Sequence, residues 1–159
     1  MVTNARKDPC RFVVTSNVSN LGSFTVATSE GSCVQGNRVL LTGQTAASQN
    51  GIYNVGVVSA GSAPLTRASD LGTSGDCFAG SKVFVSEGTI WANTDWTLTT
   101  QGTITLDTTA LTFSPDRALT VAALRLSRGK VDGELVRLVA YSTLADRGGG
   151  RILLGCDLG

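Results

Sequence analysis

The chain has 159 residues, with 13 basic and 12 acidic side chains, four Cys and no His. Without His there is no Ser-His-Asp triad, no Cys-His pair and no imidazole metal ligand within this chain. The net charge of +1 gives no electrostatic case for nucleic acid or an anionic membrane, which clustered Lys and Arg would supply. Charged residues are only 16% of the chain, against about 25% in typical globular domains. Small polar residues replace them, with 19 Gly and only three Pro. That composition predicts a mainly β protein of short strands and tight turns.

The first section, residues 1–115, reads as one β-rich domain, sandwich-like or an open barrel. No apolar run reaches the 18 or so residues of a membrane span, and no apolar stretch follows the charged start as a secretory leader would require. In order, strands are expected at Phe12–Val14, Arg38–Leu41, Ile52–Val55, Lys82–Val85, Trp96–Thr99 and Ile104–Leu106. Asn50-Gly51 is the strongest turn signal, because both residues tolerate the positive φ of a type I′ hairpin. Glu30-Gly31 and Glu87-Gly88 mark further turns. Thr97, Thr99, Thr103 and Thr105 alternate as the solvent face of a strand pair should.

The texture changes at Pro115. Asp116 is placed as an N-cap, Leu119, Ala122, Ala123 and Leu126 recur at helical spacing, and Gly129 is a natural stop. A short helix over 116–129 is therefore expected, and its apolar stripe must be buried somewhere, because a lone helix of that length is marginal in water. Two placements stay open: against the chain's own sandwich, or against copies of itself as the neck of a symmetric oligomer. Arg125, Arg128 and Lys130 form either a solvated helix end or a patch for an acidic neighbour. From Arg117 onward the chain carries 7 basic and 4 acidic residues, before it 6 and 8. Residues 130–159 read as a small β segment, with a turn at Asp132-Gly133, strands at Leu135–Tyr141 and Arg151–Leu154, and a bend at Gly148–Gly150.

Candidate chemistry is sparse. Asp132 and Glu134 are spaced to share a strand face, but they flank a turn glycine where carboxylates are commonplace. Gly148-Gly149-Gly150-Arg151 lacks the spacing of a phosphate loop. Cys10, Cys33, Cys77 and Cys156 contain no C-x-x-C pair, so a zinc site would need all four to converge, and buried inert thiols are the expected state. Tyr53, Trp91 and Trp96 are the aromatic residues suited to stacking on a sugar, or else they fill the core. Asn17-Val18-Ser19 is a formal glycosylation sequon. No cofactor and no metal is expected.

The stretch Arg38-Val39-Leu40-Leu41-Thr42-Gly43-Gln44-Thr45-Ala46-Ala47-Ser48-Gln49-Asn50-Gly51-Ile52-Tyr53 resembles a segment recurrent in bacteriophage tail fibre and tailspike proteins. Leu65–Asp70 is similar to the family's "TRA-D" stretch and Val83–Thr89 to its "FV-EGT" strand and turn, followed by Asn93–Trp96 and Ile104–Phe113. Val131–Leu138, with Tyr141, Ala145-Asp146 and Gly148–Gly150, resembles the start of a tailspike β-helix, although Arg147 stands where the family more often shows Gly. The family continues from there with glycan-cleaving carboxylates, and this sequence stops at Gly159.

The resemblance therefore implies a non-enzymatic anchoring or adaptor module of the virion, assembled in the host cytoplasm. It implies a homotrimer with Leu119, Ala122, Ala123 and Leu126 at the interface, and other virion structural proteins as partners. A trimeric capsid decoration protein is the alternative, and a module binding host surface glycan through Tyr53, Trp91 or Trp96 a further one. A glycosidase acting through Asp132 and Glu134 comes last.

Overall fold

The computed structural model describes residues 5–116. The expected helix with Leu119, Ala122, Ala123 and Leu126, the β segment over 130–159, the Asp132/Glu134 pair and Cys156 lie outside the described residues. The described chain is mainly β. Its strands are β1 (Phe12–Val14), β2 (Phe24–Thr25), β3 (Ala27–Thr28), β4 (Gly31–Ser32), β5 (Arg38–Leu41), β6 (Gly51–Val55), β7 (Ser62–Ala63), β8 (Leu65–Arg67), β9 (Lys82–Val85), β10 (Thr94–Leu98) and β11 (Phe113–Pro115). Single 3-10 turns at Leu21–Ser23, Ala47–Gln49, Ser69–Leu71 and Ser74–Asp76 interrupt the connections.

A four-stranded sheet of order β1-β5-β6-β8 forms the centre, with β1 parallel to β5 and the other pairs antiparallel. Its strands β1, β5 and β6 are short, mainly apolar runs buried on both sides, the pattern of a sheet covered on both faces, while the edge strand β8 (Leu65-Thr66-Arg67) leaves Thr66 exposed. Successive residues divide between two cores accordingly. Val13, Leu40 and Ile52 join Val83, Val85, Trp96, Leu98, Leu111 and Phe113. Phe12, Val14, Val39, Leu41, Tyr53 and Val55 join Phe24, Cys33, Ala63 and Leu65. The first core is closed by the antiparallel sheet β11-β10-β9, the second by the two-stranded pairs β2-β7 and β3-β4. No closed barrel forms among the described residues.

One extended segment links the two main sheets. Residues 6–10 run parallel to β9, with Lys7 N donating to Lys82 O and Cys10 N to Phe84 O, each at 2.8 Å. At Arg11 the chain changes partner, its N–H donating to Arg38 O at 2.8 Å, and continues as β1. A strand shared in this way fixes the angle between the sheets.

Two local expectations are corrected. Asn50-Gly51 is not a two-residue hairpin turn: Asn50 has φ −59° and ψ 155°, and Gly51 already belongs to β6. The Asn50 amide is drawn inward instead, accepting from Gln44 N at 2.9 Å and donating to Leu111 O at 2.8 Å. The hairpin turn with two positive φ angles is Ala60-Gly61 (48° and 79°), closed by Ser59 and Ser62. Likewise, Ile104–Leu106 is not a strand. Thr108 and Thr109 N–H both donate to Thr105 O, and Thr105 N donates to Thr109 Oγ1, so a local turn takes the groups that a sheet ladder would need. Thr103 and Thr105 are exposed on this turn, while Ile104 still reaches the core.

Ala60 carries a conformation that L residues with a Cβ resist by about 1–2 kcal/mol. Ala60→Asn, which creates the preferred Asn-Gly turn, is expected to raise stability by about 0.5–1 kcal/mol. Urea denaturation would check this, and an unchanged or lowered midpoint would refute it.

Candidate functional site

The residues that carry the recurrent segment converge, but they turn inward. Gln44 is buried; its Oε1 accepts from Val18 N at 2.6 Å and its Nε2 donates to Val18 O at 3.2 Å. Asn50 ties the 42–50 connection to Leu111, as above. Tyr53 is 3% exposed, and its hydroxyl donates to Gln49 O at 2.7 Å. The Arg67 guanidinium stands 5.0 Å from the centre of the Tyr53 ring and donates to Ser48 O (2.8 Å), Asn50 O (3.1 Å) and Asp107 Oδ1 (2.6 Å). Two connections distant in sequence, 42–50 and the turn at Asp107, are thus held to the end of β8 by one fork of donors, a role for which Arg is suited and Lys is not.

A second fork lies along the same sheet. Arg38 Nη2 meets both Asp70 oxygens at 2.9 and 2.8 Å, and Asp70 also accepts from Asp8 N at 2.9 Å. This pair fastens the 3-10 turn after β8 to the segment that precedes β1. Beside it, burial pushes the Cys10 thiol up to about 12 despite the neighbouring Arg38 charge. Burial also raises Cys33 and Cys77. Cys10 and Cys77 belong to one core and Cys33 to the other. Among the described residues no group of three metal-ligating side chains comes together. Ellman's reagent at pH 8 is expected to leave Cys10, Cys33 and Cys77 unmodified in the folded protein, and to titrate all four thiols in guanidinium. Fast modification of Cys10 in the native state would contradict this.

Two of the three expected sugar-stacking residues are core residues. Tyr53 and Trp96 are each 3% exposed and lie in different cores. The Trp96 indole N–H donates to Thr94 Oγ1 at 3.0 Å, and its ring meets Trp91 edge-on, centres 4.8 Å apart. A ring enclosed on both faces has none to offer a sugar, so the stacking expectation is corrected for this pair. Trp91 is half-buried against the same core. Asn17 of the sequon is exposed, and its side chain accepts from Thr45 N at 2.9 Å.

A few large apolar side chains also face outward. Val34, Val57, Val58 and Ile90 are the large apolar side chains left exposed among the described residues. Val57 and Val58 face Ala63 alone across the arm between the Gly56–Pro64 and Ser59–Ser62 pairings, a bulge that turns both valines out. Buried Glu30 holds the 86–93 connection, its Oε2 accepting from Ile90 N (3.0 Å) and Trp91 N (3.2 Å). Arg11 bridges Glu87 at 3.0 Å and Asn37 Oδ1 at 2.9 Å, and that oxygen also accepts from Val34 N. Sequence reasoning missed these side chains. The available signal was the pair Val57-Val58 standing inside a Gly/Ser-rich turn region.

No protein-family model, curated protein or solved structure matches this chain.

Proposed function

We propose that this chain is a non-enzymatic structural module of a bacteriophage virion, an attachment or adaptor unit of the tail fibre or tailspike type. The observation that supports the reading is the inward commitment of the resembling residues. Gln44, Asn50, Tyr53, Arg67 and Asp70 brace loops against one another. Side chains that recur in a rigid connector are expected to do this, whereas residues of a catalytic cleft would converge on open space. The surface that is left, small polar residues with a few large apolar side chains, suits contact with another protein.

Immunogold electron microscopy of intact phage particles, with antibody against this chain, tests the reading. Label confined to the tail or its appendages is the expected result. Label spread over the head would replace it with a capsid decoration role, and particles without label would remove the virion assignment.

A further inference from the structure

Asn50 and Gly51 are the only Asn-Gly pair in the sequence, and such a pair carries a reaction of its own. The Gly51 nitrogen attacks the Asn50 side-chain carbon Cγ, so that a C–N bond forms while the Cγ–Nδ2 bond breaks. Ammonia leaves with the Gly51 amide proton. Water then opens the resulting five-membered imide at either carbonyl, giving aspartate or an isoaspartate whose main chain runs through the former side chain. Glycine permits the attack because it has no side chain in the way and its backbone turns freely.

The folded chain blocks this step at each of its parts. The Asn50 amide is held at both ends by main chain, Oδ1 accepting from Gln44 N at 2.9 Å and Nδ2 donating to Leu111 O at 2.8 Å. The Asn50 carbonyl accepts from Arg67 Nη1 at 3.1 Å, which fixes the peptide unit that joins the pair. Gly51 stands opposite Leu41 at the start of β6, and both Asn50 and Gly51 are buried. For Cγ to reach the Gly51 nitrogen, the bonds to Gln44 and Leu111 must break, and water must enter.

The products do not fit the closed structure. Aspartate puts an oxygen in place of Nδ2, so Leu111 O loses its donor and meets a buried carboxylate. Isoaspartate adds a carbon to the main chain just before β6. That strand pairs with β5 on one side and β8 on the other, and a lengthened chain cannot keep both registers.

We propose that Asn50 is a latent site of spontaneous deamidation, gated by opening of the 42–50 connection. Closed, the chain is inert; opened, it converts irreversibly to a form that cannot reclose. The native rate is then the unfolded-chain rate multiplied by the fraction of time the connection is open. The proposal is independent of the virion role.

Peptide mass spectrometry of the full-length chain incubated at pH 8, with and without unfolding urea, tests it. Asn50 is expected to convert at least about a hundredfold more slowly in the folded chain, a factor that an opening free energy of about 2.8 kcal/mol supplies. Arg67→Ala keeps the Asn-Gly pair but removes the donor to Asn50 O. It is expected to speed native conversion about tenfold or more while leaving the rate in urea unchanged. Asn50→Asp, which installs one product directly, is expected to lower the urea midpoint. Folded and unfolded rates within about threefold of each other would overturn the proposal. So would an unchanged native rate in Arg67→Ala, or a parental midpoint in Asn50→Asp.

Discussion

Gly43→Ala is expected to cost about 3–4 kcal/mol of stability, enough to remove much of the margin of a small domain. Gly43 follows β5 at the point where the chain passes the end of β1. A Cβ there would stand 1.9 Å from Thr15 O and 2.4 Å from Thr15 C, both backbone atoms. No rotamer change can relieve such contacts, so β1 and β5 would have to separate. Their parallel pairing is the only one β1 makes as a named strand, and Thr42 N donates to Val14 O at 3.0 Å beside it. Gly36→Ala is the control. Its φ of 83° disfavours a side chain, but nothing lies within 4 Å, so a cost of only about 1–2 kcal/mol is expected. Equal midpoints for the two variants in urea would show that crowding at Thr15 is not what requires glycine.

Arg67→Ala should cost about 2–4 kcal/mol, chiefly through lost main-chain partners and not through the ion pair. The side chain of Arg67 is 14% exposed and that of Asp107 67%. An ion pair with one solvated member contributes little, about 0–1 kcal/mol. The carbonyls of Ser48 and Asn50, by contrast, would lose their charged donor, and the Tyr53 ring would lose its cover. Asp107→Ala is therefore expected to cost at most about 0.5 kcal/mol. Arg67→Lys should fall between, since a point charge cannot serve three acceptors in fixed directions. Should Asp107→Ala prove as damaging as Arg67→Ala, the ion pair would be the dominant contact after all. Gly51 belongs to the same unit, because a Cβ on it would lie 2.6 Å from Arg67 Nη1.

These two sites also mark how far the sequence could be read. Phe12–Val14, Arg38–Leu41 and Lys82–Val85 are legible as strands to the residue, because short apolar runs between turn residues have few other uses. The mainly β class follows from composition alone. Asn50-Gly51 was misread because its dipeptide preference is local, whereas the Asn50 amide answers to Gln44 and to Leu111, 61 residues away. Ile104–Leu106 was misread for the converse reason, since the Thr105 and Thr109 groups bond one another before any ladder can form. Ala60-Gly61 escaped notice because alanine carries no turn preference, and its positive φ is imposed by the Ser59–Ser62 pairing.

The sequence by itself determined the strand-rich class, the positions of β1, β5, β6, β9 and β10, and the want of imidazole chemistry. Each depends on residue type or spacing along the chain, which local sterics and hydrophobic periodicity make readable. Only the tertiary structure decided that Tyr53 and Trp96 fill separate cores, and that Arg38 and Arg67 brace loops. The same is true of the exposure of Val34, Val57, Val58 and Ile90. Burial and hydrogen-bond partnership are properties of residues far apart in sequence, set by which strands pair and which face of the central sheet each side chain meets. A parallel β1-β5 pairing and a strand shared between two sheets leave no periodic trace in the residues that make them.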